Sequence, residues 1–419
     1  MRYTYRDTIK ACYLGNFFQS ACSVFAILFI PIRSLYGITY TQFAVLLTVN
    51  FITQVVSDVL FSKPVEKYGF RRFAMGAPIL SCAGMLLFAA APLIFPRTPF
   101  IGFCIGMFVF ASAAGLQELL LSPILDALPI PEEKKGKSMS MLHSCFAWGQ
   151  IAGVFITTIF VYVADKEYWQ VITVFWALVQ LISVWLFSKV PLYEKVSAKD
   201  AMKVSELLKS KLFYLVLLAI ITGGSAEVVM SQWASAFIER GMNLPKIIGD
   251  MLGVCGFSLM LAIGRTAYGI WGDKISIHKV MLWGAFFGTI SYVIAAISEN
   301  PYIGIAACIG TGFFVSLLWP GSVVVAAREF PMAGAAMFAL LSAGGDVGAS
   351  AGSFVIGRVA DVVTLKGWTK FGWLTGISPE QAGLRIGLLI AAVFPLLCVI
   401  VHIVLKRKCE SERTVSNDV

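Results

Sequence analysis

The chain has 419 residues, of which 58% are hydrophobic and only 14% charged. A soluble domain of that size needs far more charge to cover its surface, so the composition points to lipid as the solvent. The net charge of +9 would suit nucleic acid in a soluble protein, but here its placement is topological and speaks against such a partner.

A bilayer core requires ~20 mostly apolar residues per helix, because no backbone group can go unpaired there. Runs of that kind predict twelve spans, numbered here in chain order: 11–32, 40–61, 73–95, 100–128, 139–164, 168–189, 212–238, 246–271, 279–298, 301–327, 334–361 and 383–405. The basic start (Arg2, Arg6, Lys10) leads into a run too long for a signal peptide, so it reads as span 1. The breaks carry turn chemistry, as in Pro96 to Pro99, Pro131 to Gly136 and Ser298 to Pro301.

Twelve spans place both termini on one side. Most of the 33 Lys and Arg residues fall on that side, so the positive-inside rule predicts cytosolic ends and a multi-pass protein of the cell membrane. The longest inner connection, 190–211, has Ala201, Val204, Leu207 and Leu208 at helical spacing and is expected on the membrane surface. It separates a first bundle, 1–189, from a second, 212–405, and leaves 406–419 as a cytosolic tail. The nine cysteines show neither CxxC nor Cys/His metal spacing. They read as apolar fillers, and neither metal nor cofactor is expected.

The two halves repeat each other at a nearly constant offset of about 200 residues, the mark of an internal duplication. Lys10, Tyr13 and Leu14 recur as Lys211, Tyr214 and Leu215. After span 2 come Ser62, Glu66, Lys67, Gly69, Arg71 and Arg72; after span 8 come Gly269, Asp273, Lys274, His278 and Lys279. Gly115, Leu120, Leu121 and Pro123 of span 4 match Gly312, Leu317, Leu318 and Pro320 of span 10. Gly149, Gly153 and Phe155 of span 5 match Gly348, Gly352 and Phe354 of span 11. The expected fold is an all-α membrane protein, twelve transmembrane helices in two pseudo-symmetric six-helix bundles. Two such bundles rocking about a shared site give alternating access, and paired glycines let helix backbones approach closely.

Ionisable groups inside hydrocarbon cost ~2.5–3.5 kcal/mol each even on the gentlest scale, so each asks for a role. Glu118 ranks first for proton coupling, because its duplicate position in span 10 is the apolar Val315. Glu227, just past Gly223 and Gly224, where the helix is expected to loosen and open its backbone, reads as a proton or solute ligand, with Gln232 and Trp233 beside it; an acid, an amide and an indole together suit a sugar. Asp346 is a third candidate for the proton and a partner for Arg265. Asn16, Gln19, Asn50, Gln54, Gln117 and Gln150 are uncharged amides suited to a neutral polyhydroxy ligand. His143 reads as structural. Glu66, Arg71, Arg72, Arg265, Asp273 and Lys274 read as gating residues, with Asp58 and Asp126 as further latches at the inner ends. Asp250, Arg358 and Asp361 read as solvated outer groups.

The loops at 62–72 and 269–279 resemble the signature of the major facilitator superfamily, with Ser62, Glu66 and Ser276 as departures from it. Gly224, Glu227 and Trp233, the run from Leu142 and His143 to Gly153, and Ala343 to Asp346 are similar to the fucose, galactose and glucose proton symporters. That resemblance implies uptake of a sugar-like solute driven by protons. Those symporters carry a proton-binding aspartate in the first span, where this chain has Asn16 and Gln19, so here another carboxylate would take the proton.

The leading expectation is therefore a monomeric secondary transporter of a small neutral solute, coupled to protons. A proton-driven exporter of drugs or metabolites is the alternative, since 13% aromatic residues and 14 Met also suit a greasy pocket. A solute sensor without transport stays open. An enzyme is not expected: no metalloprotease, phosphate-loop or triad pattern occurs, and the three histidines are far apart in sequence.

Overall fold

The computed structural model of the chain describes residues 3–20, 24–38, 40–193, 202, 204–272, 274–367 and 376–417. Every regular element among them is helical. The chain divides into two compact units, the first comprising Met1–Val204 with Met332–Ala343, the second Ser205–Pro331 with Gly344–Val419. Ten helices among the described residues are long and apolar enough to cross a membrane. The other two arms are spans 1 and 2. Of span 1 the described helical stretches are Tyr5–Gln19 and Val24–Tyr36, residues 21–23 lying outside the described residues. Span 2, Tyr40–Tyr68, carries Asn50, Gln54, Ser57 and Asp58 along its length.

In the first unit, spans 3 to 6 are Phe70–Ile94, Pro99–Asp126, Glu132–Ala164 and Trp169–Lys189. Gly69 alone separates spans 2 and 3, with φ at +81°, a conformation that a side chain would strain. Span 5 starts about two turns earlier than its apolar run: the charged stretch read as a break is helical from Glu132. Pro131 stands at its N-cap and Glu132 and Glu133 lie in the first turn, where acids favour the helix dipole. Aromatic packing fills the core. Phe25, Phe88, Phe103, Phe110 and Trp169 form one buried cluster, with ring centroids 4.7 Å apart for Phe25 and Phe88 and 4.8 Å for Phe88 and Phe103. Spans 3 and 4 meet through reciprocal glycines, Gly84 against Phe110 and Gly106 against Phe88.

In the second unit, span 7 is Lys211–Ala236, prolonged by a π turn, Phe237–Gly241. Span 8 opens with a π-helical stretch, Gly249–Cys255, and continues as Gly256–Trp271. Span 9 is Ile277–Ile297, and span 10 is broken into Pro301–Val315 and Leu318–Glu329. Span 11 is Ala335–Lys366, whose first turns belong to the first unit, and span 12 is Pro379–Ala391 followed by Val393–Asn417. Of the inner connection, Val204–Leu207 forms one helical turn with Leu207 buried; Ala201 lies outside the described residues.

The duplication reappears as matched packing. Gly115 of span 4 lets span 2 approach, its missing Cβ lying 2.8 Å from the Gln54 carbonyl. Gly312 of span 10 does the same for span 8, against the Phe257 carbonyl. Gly149 of span 5 sits on the Phe17 carbonyl of span 1, and Gly348 of span 11 on the Ile221 carbonyl of span 7. Each pair uses a missing side chain to bring backbones into van der Waals contact.

Candidate functional site

The second unit holds a buried ion pair built around a proline. Pro320 has no N–H, so the carbonyl of Ser316 four residues earlier loses its helical partner, and span 10 breaks at that point. Arg265 of span 8 takes the freed carbonyl, its Nε donating at 2.9 Å. Its Nη2 donates to both oxygens of Glu227 on span 7, at 2.6 and 2.7 Å. Arg265 is 2% exposed, and the Glu227 side chain 12%. Arg265 thus makes an ion pair with Glu227. Taking both charges out of water costs several kcal/mol per ion, so a buried pair is weak evidence for stability and better evidence for a switch.

Glu227 is positioned by close helix packing. Gly223 and Gly224 do not loosen span 7, whose helix runs unbroken through them. They make room instead: a Cβ at Gly223 would meet that of Leu318 at 2.8 Å, and one at Gly224 the Gly345 carbonyl at 2.9 Å. Trp319 packs against Gly224 and Gly345. Ser225 donates to the Gly348 carbonyl at 2.6 Å, and Tyr292 of span 9 to the Ala226 carbonyl at 2.7 Å. Asp346 is buried beside these contacts on span 11, 6% exposed. Gln232 and Trp233 are engaged elsewhere on span 11. Gln232 is exposed and accepts from Ser353 at 2.7 Å, while the Trp233 ring packs 3.4 Å from the Cβ position of Gly357.

The first unit gathers amides. Asn16 donates to the Leu142 carbonyl at 2.8 Å, and Gln19 to the Ala114 carbonyl at 3.2 Å. Gln19 Oε1, Asn50 Oδ1 and Gln117 Nε2 are buried with no hydrogen-bond partner among the described residues. Gln150 is half-buried beside Gly149. Glu118 is the one residue between Ala113 and Asp126 that is not fully buried. It lies about 110° round the helix from the exposed apolar stripe of Ile101, Ile105 and Phe108, at 3.6 residues per turn. Glu118 therefore points away from that stripe.

At the predicted inner ends, Glu66 Oε1 accepts from the Ala336 amide at 3.0 Å, capping the start of span 11. Arg71 donates to the Phe187 and Val190 carbonyls, both at 2.8 Å, and so caps the end of span 6 within the same unit. Asp126 lies 3.6 Å from Lys135 across the span 4 to 5 turn. Arg72 and Lys274 are exposed; Asp273 and the Asp361 side chain lie outside what is described. His143 is half-buried, and Asp250 accepts from Ser235 at 2.6 Å rather than standing free in solvent. Arg358 is exposed.

Several engaged groups escape a reading by residue type. Ser316 contributes only its carbonyl, which Pro320 could have signalled. Ser225 and Tyr292 act on backbone oxygens. Arg385 lies within the span 12 run, where hydropathy gives it no partner; it is 7% exposed and donates to the Ser298 carbonyl at 2.6 Å and the Gly241 carbonyl at 3.3 Å, joining the ends of spans 9 and 7.

The sequence profile described as Major Facilitator Superfamily matches residues 11–267. The multidrug resistance efflux pump PmrA of Streptococcus pneumoniae is 26% identical over 385 residues, covering 84% of this chain and 90% of the pump. Among solved structures, the E. coli fucose:proton symporter FucP superposes with a TM-score of 0.70 at 14% identity, covering 95% of this chain and 99% of that one. The proton:xylose symporter XylE, bound to 6-bromo-6-deoxy-D-glucose, superposes with a TM-score of 0.74 at 13% identity, over 95% and 94%. At those identities the structural likeness speaks for the fold alone. The profile match spans more than half of the sequence, and the chain belongs to the major facilitator superfamily, as a multi-pass membrane transporter of small solutes.

Proposed function

We propose that this transporter moves a small neutral, sugar-like solute by alternating access, coupled to protons through Glu227. The observation that carries the reading is the buried Glu227–Arg265 pair. A proton arriving at a Glu227 oxygen makes it a hydroxyl and ends the ion pair. Arg265 then has donors to offer to a solute hydroxyl, while the new carboxyl hydroxyl donates as well. Proton and solute thereby favour each other's binding, and the coupling runs equally in both directions. Loss of the solute returns Arg265 to Glu227 and expels the proton.

Asn50 Oδ1 and Gln117 Nε2 in the first unit, an acceptor and a donor without partners among the described residues, support a hydroxyl-bearing solute over an ion. Asn16 and Gln150, with Gln232 and Trp233, are weaker candidates for the same task. Glu118, turned away from the exposed apolar stripe, and Asp346 are the carboxylates next in line for the proton. Glu66, Arg71, Arg72, Asp273 and Lys274 belong to the conformational latches. The protein acts as a monomer in the cell membrane, with both termini cytosolic.

The likeness to PmrA over 84% of the chain favours a second reading, proton-driven export of lipophilic compounds. A thermal-shift screen of the purified protein separates the two. Neutral sugars and polyols are expected to raise the melting temperature, and to protect Glu227 from carbodiimide labelling. Stabilisation and protection by lipophilic cations alone would reverse the assignment.

A further inference from the structure

Residues 225–227 of span 7 are each held by a different helix. Ser225 donates to the Gly348 carbonyl of span 11 at 2.6 Å. Ala226 accepts from the Tyr292 hydroxyl of span 9 at 2.7 Å. Glu227 meets Arg265 of span 8 at 2.6 Å. The middle contact is one that a helix does not require. A carbonyl inside an α-helix has its donor in the N–H four residues on, here that of Met230, and span 7 stays helical through both residues. Tyr292 brings the Ala226 carbonyl a second donor from another helix.

The Met230 N–H also acts as a donor to the Tyr292 hydroxyl. A hydroxyl has one hydrogen and two lone pairs, so Tyr292 Oη gives its hydrogen to Ala226 and receives that of Met230. It is seated on the ladder bond of the turn that carries Glu227. A side chain set into that ladder fixes the local bend of a helix. Tyr292 is 0% exposed, so packing holds the ring and the hydroxyl acts as a fixed post.

The orientation of this turn matters for the ion pair. Arg265 Nη2 must stay within reach of both Glu227 oxygens, at 2.6 and 2.7 Å. A side-chain end on the helix rim shifts by about 1 Å when the helix rotates by about 10°, which is enough to open one of the two bonds. We infer that Tyr292 is a positioning residue for the proton site: its hydroxyl, seated in the 226–230 turn, sets the rotation of span 7 that presents Glu227 to Arg265. The inference rests on the reading of Glu227 as the proton carrier and adds the group that aims it.

The test is labelling of Glu227 by dicyclohexylcarbodiimide in the purified full-length protein without solute, followed by mass spectrometry of its peptide. The reagent needs a protonated and uncovered carboxyl, which the pair with Arg265 withholds. Tyr292→Phe keeps the ring and leaves Ala226 its helical donor, so the protein should stay folded. Labelling of Glu227 should speed about tenfold in that variant, the equivalent of ~1.4 kcal/mol of pairing. Cys308 is 0% exposed and close enough to act electrostatically on the Tyr292 hydroxyl, so it reports on any general loosening there. Its reaction with a maleimide should keep the parent's rate. An unchanged rate at Glu227, as expected of a hydroxyl that only satisfies itself, overturns the inference. An equal acceleration at Cys308 does so too, because the variant has then opened rather than turned. Failure of the proton reading itself would show elsewhere, as gradient-driven accumulation by Glu227→Gln.

Discussion

Arg265 Nη2 lies between the two carboxylate oxygens of Glu227, 2.6 Å from one and 2.7 Å from the other. A charge so placed is expensive to strand. Arg265→Met should therefore destabilise the protein by about 3–5 kcal/mol, the usual cost of removing one partner of a buried pair. Adding Glu227→Gln to it should recover a large part of the loss, since the uncompensated charge goes with the carboxylate. Thermal unfolding of the two single variants and the double variant measures this. Strict additivity would mean that the two side chains do not interact.

Pro320→Ala restores an N–H four residues after Ser316, where a helical bond can form. The Ser316 carbonyl would then be shared between that N–H and Arg265 Nε, now 2.9 Å away. We expect maximal transport to fall while the protein stays folded, because a proline removed from a helix interior relieves strain. Transport kinetics beside a melting curve test the point. Unchanged maximal rate would show that the break in span 10 does not position Arg265.

The matched glycines make a graded prediction. A methyl group at Gly312 would strike the Phe257 carbonyl, and one at Gly115 the Gln54 carbonyl, so alanine at either should cost about 1–3 kcal/mol by overpacking. Gly76 has nothing within 4 Å of its Cβ position, and alanine there should stabilise the helix by roughly 0.5–1 kcal/mol. Equal effects at all three positions would contradict the packing described.

Glu66 caps the first turn of span 11 through the Ala336 amide at 3.0 Å. Its replacement by alanine should speed hydrogen exchange of the first amides of that helix about fivefold, the equivalent of roughly 1 kcal/mol. Glu66→Gln keeps an acceptor and should fall between. Exchange unmoved in Glu66→Ala would remove the capping role.

Much of the architecture was legible in the chain because lipid imposes a single rule: about 20 apolar residues, with every backbone group paired inside the helix. The duplicated glycines were equally legible, since a missing side chain matters wherever two backbones cross. Partners were harder to read. Hydropathy puts Arg265 and Glu227 inside spans but cannot say that span 8 presents one to the other, because that depends on how helices rotate in the bundle. The error over Gly223 and Gly224 has the same root: from sequence a glycine pair signals freedom, whereas here it signals the approach of Leu318 and of Gly345. Every residue carries a carbonyl, so residue type cannot single out Ser316 or the acceptors of Arg71 and Arg385; only the folded arrangement of the helices does.

The central claim is that Glu227 carries the proton. Reconstituted in liposomes, the parent should accumulate its solute when an inward proton gradient is imposed. Glu227→Gln, permanently neutral, should lose that accumulation yet still exchange solute across the membrane at equilibrium, because exchange needs no net proton movement. Gradient-driven accumulation by Glu227→Gln at the parent's level would contradict the account.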